Sequence, residues 1–186
     1  MDFPKTGWRM QDGMLTVLSS DGSEAKRGGD IITVEKFRDF EFSLEFQITP
    51  GANSGIKYFV DPQLNPNARS GIGLEYQILD DQAHPDAKLG HSGNHQMGSL
   101  YDLIPTTKDK PSKAVGEWNI AYIISRGTHV EHWLNGVKVV EYDRITDEFR
   151  QLVQSSKFKR WPGFGELKEG HLVLQEHGNT VSFRNI

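Results

Sequence analysis

Apolar and polar residues alternate along much of this chain, most regularly in Phe40–Ile48. Every second side chain of that run is apolar, and together they form one face: Phe40, Phe42, Leu44, Phe46 and Ile48. Alternation with a period of two is typical of a β-strand that buries one face. The run therefore predicts a strand that packs against a core.

A second alternating run, Ile72–Asp81, carries polar side chains in its middle. One side of the run is apolar and consists of Ile72, Leu74, Tyr76 and Ile78. The other side carries Glu75, Gln77 and Leu79. Glutamate and glutamine are poor strand formers. Their place in an apolar strand indicates either an ordinary solvent-facing surface or polar groups that are held rigidly for chemistry.

Shorter runs predict the remaining elements. They predict a hairpin over Gly7–Leu18 and strands at Ile31–Val34, Ile56–Val60, Trp118–Ser125, Val130–Leu134, Val139–Tyr142, His171–His177 and Val181–Ile186. Thr146–Ser155 predicts one helix, with Thr146 as its cap and Phe149, Leu152 and Val153 on one side. Many short strands without alternating helices favour an all-β fold, an antiparallel β-sandwich or jelly roll with one short helix. We expect a single domain over residues 1–186.

Composition excludes several classes of function. The 186 residues include no cysteine and carry a net charge of −4, and 36% of them are hydrophobic. Without cysteine there is no disulfide frame and no thiolate nucleophile. The chain has no basic cluster for binding phosphates, so we expect no nucleic-acid partner. It also has no apolar run of bilayer length, so we expect no membrane span. The oligomeric state stays open.

Ionisable residues on separate predicted strands suggest one shared cleft. If Glu75 and Gln77 share a face, Gln175 and His177 form a matching pair, because they also lie two residues apart. Lys57 belongs to the same polar face, and together these side chains would line a curved inner face. A carboxylate near a lysine or histidine can serve as acid or base near neutral pH. The alternatives are a solvated strand charge for Lys57 and a turn residue for His177.

The long polar segment from Asp80 to Pro111 lies above this predicted cleft. Its candidate metal ligands are His84, His91, His95, Asp80, Asp81 and Asp86. These residues favour a metal site only weakly, because the segment is too rich in glycine and proline for a helix that would align them. Further along the chain, we expect Trp161 either to stack on a sugar ring or to fill the edge of the sandwich.

Seven short segments between Trp8 and Ile186 form a specific ordered set. They are Asp39–Phe42 with Leu44–Phe46, Pro50–Ile56, Gly73–Asp80, Gly98–Tyr101, Gly116–Asn119, Trp133–Gly136, and Leu174–Gly178 with Phe183–Ile186. In this order they resemble the 3-keto-disaccharide hydrolase domain family. The chain departs from many members at Lys57-Tyr58-Phe59, where those members carry an aromatic residue and then an arginine.

The resemblance implies a concanavalin A-like jelly roll that acts on carbohydrate, often in secreted or periplasmic proteins. Because the segment before Trp8 is short and has no leader, we expect a mature or trimmed start and a periplasmic or secreted location. The implied reaction starts from a sugar ketone at C3, which acidifies the C2 proton so that the C1 substituent can be eliminated and water added. The strand motif Glu-x-Asp-x-x-Glu of concanavalin-like glucanases is absent from the sequence.

Three hypotheses follow. In the first, the protein cleaves 3-keto-glycosides, and Glu75 and His177 act as base and acid in either order. The residues expected to bind substrate are Lys57, Gln77, Gln175, His95, Tyr101 and Trp161. The second hypothesis is a non-catalytic carbohydrate-binding module, and the third is a structural or adhesion domain without a pocket. No strong metal signature is present, and the need for a divalent cation stays open.

Overall fold

The computed structural model describes residues 6–20, 28–65 and 70–186, in which strands predominate. The strands are β1 (Trp8–Gln11), β2 (Met14–Val17), β3 (Ile31–Ile32), β4 (Phe40–Ile48), β5 (Asn53–Val60), β6 (Leu74–Leu79), β7 (Trp118–Arg126), β8 (His129–Leu134), β9 (Val137–Asp143), β10 (His171–Leu174) and β11 (Val181–Arg184). The described residues also form an α-helix, α1 (Asp147–Ser155), and 3₁₀ helices at Pro62–Leu64, Pro85–Lys88 and Lys157–Arg160. None of these helices is long and apolar enough to cross a bilayer.

Two antiparallel sheets form a β-sandwich. The larger sheet has seven strands in the order β1-β2-β11-β4-β7-β8-β9, and the smaller has four in the order β3-β10-β5-β6. Neighbouring strands in both sheets run antiparallel. The all-β class, the sandwich and the single α-helix agree with the sequence prediction.

The core lies between the sheets, where the apolar faces of the alternating strands meet. On β4 the side chains of Leu44, Phe46 and Ile48 are buried, as predicted, and Phe40 and Phe42 pack against the core at its edge. On β6 the buried apolar side is Leu74, Tyr76 and Ile78. Because side chains alternate along a strand, this packing turns Glu75 and Gln77 toward the opposite face of the small sheet.

Several predicted boundaries are wrong. The sequence of Pro50–Gly55 predicts a turn, but strand β5 begins inside it, at Asn53, because its first residues pair with the end of β6. Strand β6 begins at Leu74, so Ile72 precedes it, and β10 ends at Leu174. The local strand propensity of the Asn53–Gly55 segment is low, and its strand conformation depends on pairing with residues that are distant in sequence.

The helix is capped as predicted, since the Thr146 hydroxyl accepts a 3.1 Å hydrogen bond from the Phe149 N–H. Phe149 and Val153 are buried, but Leu152 is 38% exposed and does not share their buried side. The polar run over residues 19–29, for which the sequence predicts a loop, falls partly outside the described residues, which omit 21–27.

A hydrogen-bonded chain of buried polar side chains joins the two sheets. His132 Nδ1 lies 3.1 Å from the Gly98 carbonyl oxygen, which requires a proton on Nδ1 and leaves Nε2 as an acceptor. The Tyr58 hydroxyl lies 2.7 Å from Nε2 and 2.7 Å from the Tyr142 hydroxyl. Burial lowers the pKa of His132 to about 4, so the ring is neutral at neutral pH.

Tyr58→Phe is expected to lower the free energy of unfolding by about 2 kcal/mol, since it leaves His132 Nε2 and the Tyr142 hydroxyl buried without their partner. Urea denaturation at pH 7 measures the change. Tyr122→Phe is the matched control, because the Tyr122 hydroxyl bonds to Glu41 at the protein surface, and its cost should stay below about 0.5 kcal/mol. Equal costs for the two variants would contradict a structural role for the buried chain.

Candidate active site

A cavity of about 510 Å³ opens on the face of the small sheet that points away from the core. This volume suits a small ligand such as a sugar. The described residues that line it include side chains from β5, β6, the segment after β10 and the short helix at Lys157–Arg160. They are Asn53, Lys57, Asn65, Ser70, Gly71, Ile72, Gly73, Glu75, Gln77, Tyr101, Lys157, Phe158, Arg160, Trp161, Gln175 and His177.

Strand pairing brings the polar floor of the cavity together. In the register of β5 and β6, Lys57 pairs with Glu75 and Gly55 pairs with Gln77. On the other side of β5, the Gln175 N–H donates a 3.0 Å hydrogen bond to the Gly55 carbonyl. Residues far apart in sequence therefore lie side by side across three neighbouring segments.

Lys57 is a buried cation with fixed partners. Its side chain is 5% exposed, and Nζ donates to the Ser70 hydroxyl at 2.8 Å and to the Asp30 carboxylate at 3.4 Å. Asp30 is itself anchored, since it accepts hydrogen bonds from the backbone N–H groups of Gly71 and Glu176. The interpretation of Lys57 as a solvated strand charge is therefore wrong, because the side chain is buried and paired with Asp30.

His177 lies just beyond β10, half-buried at the cavity wall. Its Nε2 is 3.4 Å from the Asn53 side-chain nitrogen. The His84 ring packs against it edge to face, with ring centroids 6.3 Å apart. His84 Nδ1 accepts from the Asp86 N–H, and burial together with the neighbouring His177 lowers the pKa of His84. The neutral His84 ring therefore packs against His177 and is not itself among the lining residues.

His95 lies outside the cavity wall, behind Tyr101. Its ring is 4.4 Å from the Tyr101 ring, centroid to centroid. Both nitrogens are held by carboxylates, Nδ1 by Asp86 and Nε2 by Asp102, each at 3.0 Å. Burial lowers the pKa of His95, but these hydrogen bonds outweigh burial and raise the pKa above its usual value. A direct contact of His95 with substrate was expected from the sequence, and this position does not provide one.

Tyr101 forms part of the wall, and two side chains pack against its ring. His95 covers one region of the ring, and Lys157 Nζ lies 4.1 Å from the ring centroid. Its hydroxyl donates to Asp86, and burial with that carboxylate nearby raises the pKa of the phenol, which stays protonated. Tyr101 therefore forms part of the wall as a neutral phenol.

The rim carries Trp161 and two cations that the sequence did not indicate as site residues. Arg160 lies over the Trp161 ring, 4.1 Å from its centroid, and Lys157 covers Tyr101. The backbone N–H of Lys157 donates to Asp102 at 2.8 Å, which ties the rim helix to the loop that holds His95. The run Lys157-Phe158-Lys159-Arg160 was the available signal, but a charge run usually marks a solvated surface.

The profile of the 3-keto-alpha-glucoside-1,2-lyase-like domain family matches residues 2–186. The chain belongs to this family. A 3-keto-disaccharide hydrolase of Bacteroides thetaiotaomicron is 39% identical over 199 aligned positions, which cover 96% of this chain and 68% of that protein. Membership of this family was predicted from the seven ordered segments and is confirmed.

Solved structures support the same fold. A Parabacteroides distasonis protein, provisionally assigned as a glycosyl hydrolase, superposes with a TM-score of 0.81 at 28% identity, covering 96% of this chain and 81% of that protein. The carbohydrate-binding module CBM66 of Bacillus subtilis superposes with a TM-score of 0.51 at 12% identity, over 97% of this chain and 89% of the module. The fold of this member of the lyase-like family is therefore the concanavalin-like jelly roll.

The histidine-rich segment of this family member does not assemble a metal site. His95 is held between two aspartates, and Asp80 accepts hydrogen bonds from three backbone N–H groups. Within residues 6–20, 28–65 and 70–186, the group with metal-ligand spacing is His129, Glu131 and Glu141, on the other sheet. Lys138 Nζ already bridges those two glutamates, at 3.2 and 2.7 Å.

Proposed function

We propose that this protein cleaves 3-keto-glycosides by elimination and hydration. The Bacteroides thetaiotaomicron relative carries the name of a 3-keto-disaccharide hydrolase, which supports a glycoside-cleaving enzyme. The observation that carries the choice of mechanism is the composition of the cavity wall. Among the described lining residues, Glu75 is the one carboxylate, and His177 is the one imidazole.

One carboxylate does not suit the ordinary hydrolysis of a glycosidic bond, which uses a pair of Asp or Glu side chains flanking that bond. Elimination from a 3-keto sugar needs a base for the C2 proton, an acid for the leaving oxygen and a cation or donor for the developing enolate. Glu75, His177 and Lys57 supply these three kinds of group in one cavity. The wall is therefore suited to elimination.

In the proposed reaction, Glu75 removes the proton from C2 and the electron pair forms an enolate with the C3 ketone. The enolate then reforms the ketone, a C1–C2 double bond forms, and the bond from C1 to the leaving oxygen breaks. His177 gives a proton to that oxygen. Water finally adds its oxygen at C1 and a proton at C2, which restores a saturated 3-keto sugar. Lys57 stabilises the enolate by its charge.

Amide side chains in the wall support a hydroxyl-rich substrate. The side-chain oxygens of Asn53 and Gln77 are buried, and neither accepts a hydrogen bond from any described residue. Buried acceptors without donors are costly, and sugar hydroxyls are donors of suitable kind. We expect Asn53, Gln77 and Gln175 to orient the sugar ring.

Incubation of the protein with a chromogenic 3-keto-glucoside in D₂O tests this proposal. We expect release of the aglycone together with one deuterium at C2 of the sugar product, while the parent glucoside stays intact. A sample without enzyme corrects for spontaneous exchange next to the ketone. Release without deuterium at C2 would contradict proton abstraction, and saturable binding without release would favour the carbohydrate-binding module instead.

A further inference from the structure

Gly55 lies in strand β5 between the cavity-lining residues Asn53 and Lys57. Its neighbours across the sheet are Gln77, its register partner on β6, and Gln175, whose N–H bonds to the Gly55 carbonyl. Its φ is not among the positive values found in this chain, so the backbone there does not require glycine. A glycine inside a strand destabilises it relative to alanine, so another reason for glycine is needed.

The Glu75 carboxylate lies in the space that a side chain at position 55 would fill. A Cβ placed on Gly55 would stand 2.1 Å from Glu75 Oε1 and 2.9 Å from both Cδ and Cγ. The three atoms nearest to that position all belong to Glu75. Carbon and oxygen cannot approach so closely, so any residue other than glycine would displace the carboxylate.

The free space at Gly55 determines where the Glu75 carboxylate lies along the sheet. Glu75 is paired with Lys57 in the register, yet its side chain reaches two residues along β5 and covers Gly55. Its carboxylate therefore lies at the level of Gln77 and Gln175, the two amide side chains that flank position 55. The carboxylate is therefore held between two residues that line the cavity.

We propose that Gly55 is a positioning residue that seats the Glu75 carboxylate for its reaction at the sugar. This inference rests on the proposed function, because it concerns the base of the same reaction. It differs from the structural roles of neighbouring glycines. A Cβ at Gly73 would meet the Tyr58 carbonyl oxygen at 2.6 Å, and one at Gly170 would meet the Phe59 backbone at 2.4 Å. At Gly55 the obstacle is a flexible side-chain end, so alanine moves the carboxylate and leaves the sheet intact.

The test is a double-substitution cycle on the full chain. Gly55→Ala alone is expected to lower kcat on a 3-keto-glucoside by about 10- to 100-fold with KM within about 3-fold, since a displacement of about 1 Å at a reacting group has effects of this size. In the Glu75→Gln background the same substitution should change kcat by less than about 3-fold, because the group it displaces no longer reacts. An equal loss in both backgrounds would overturn the proposal.

A crystal structure of Gly55→Ala gives a readout that does not depend on activity. We expect the sheet register of Gly55 with Gln77 to be kept and the Glu75 carboxylate to have left position 55. A carboxylate that stays in place beside the new methyl group would overturn the proposal even if the wild-type protein shows no turnover. If the carboxylate moves in Gly55→Ala but the wild-type protein is inactive on 3-keto-glycosides, Gly55 still determines the position of Glu75 and the proposed function is contradicted.

Discussion

Glu75→Gln is expected to lower kcat on a 3-keto-glucoside by about 10²–10⁴-fold, the usual contribution of a positioned acid or base. Glutamine keeps the size and shape of the side chain but has no basic carboxylate. Because the lost interaction belongs to the transition state, KM should stay within a few-fold of the wild-type value. Steady-state release of a chromogenic aglycone measures both constants.

The matched control for this prediction is Glu148→Gln, on the exposed first turn of α1 and outside the cavity. It makes the same chemical change and should leave kcat within about 2-fold of wild type. Circular dichroism and thermal melting establish that both variants are folded. Wild-type turnover in a folded Glu75→Gln variant would remove Glu75 from the mechanism, and His177 would then be the candidate base.

His95→Phe is expected to lower the free energy of unfolding by about 3 kcal/mol at pH 6. Phenylalanine keeps a ring beside Tyr101 but removes both nitrogens that bind Asp86 and Asp102. Two largely buried carboxylates then lose the cation between them, and breaking a buried ionic group by removing one partner is costly. Urea denaturation at several pH values measures the loss.

The loss should depend on pH with a defined sign. Burial lowers the pKa of His95, but the hydrogen bonds to Asp86 and Asp102 raise it above its ordinary value of 6.5 in the folded protein. A raised pKa stabilises the fold fully below the unfolded value, and this contribution disappears as the pH rises through the folded value. The difference between wild type and His95→Phe should therefore be largest below pH 6.5 and smaller at pH 9.

At the acidic end a second group limits this pH range. Burial raises the pKa of Asp86, but the hydrogen bonds from His95 and Tyr101 outweigh it and hold the pKa below its usual value of 3.8. The stabilisation from Asp86 is therefore lost as the pH falls through that lowered value. His91→Phe is the control, because His91 is exposed on the same loop and its replacement should cost less than about 0.5 kcal/mol. A loss for His95→Phe that is equal at pH 6 and pH 9 would contradict a charged His95.

His95 is also connected to the rim of the cavity through neighbouring residues. His95 supports Tyr101, and Asp102 holds the N–H of Lys157, so the loop and the rim helix share one anchor. We therefore expect His95 to influence the site through Tyr101, although it lies outside the cavity wall. The sequence predicted that His95 binds substrate, and it did not predict a position behind Tyr101.

The sequence alone predicted that Lys57 on β5 and Glu75 and Gln77 on β6 share a polar face. Alternation along β6 is a local property, so burial of Leu74, Tyr76 and Ile78 requires Glu75 and Gln77 to face the other way. The structure brings both into one cavity with Lys57, Gln175 and His177. Their roles in catalysis and binding stay predictions, as do the single domain over residues 1–186 and the periplasmic or secreted location.

Other features depended on contacts that no local pattern contains. From the sequence, Asn53 is predicted to lie in a turn, because asparagine disfavours strands. Pairing with Leu79 instead places it in β5 beside His177. The rim cations Lys157 and Arg160 were not predicted as site residues, because a charge run usually marks a solvated surface.

Local periodicity predicted the all-β sandwich and the polar face of β6, and the order of the seven segments predicted the family. These patterns lie in the sequence itself and do not depend on which distant segments contact each other. The tertiary structure alone decided which strands became neighbours, that His95 lies behind Tyr101, and that the Glu75 carboxylate rests on Gly55. The reason is physical: pairing between distant segments is set by the free energy of the whole packed chain, which no short window of sequence contains.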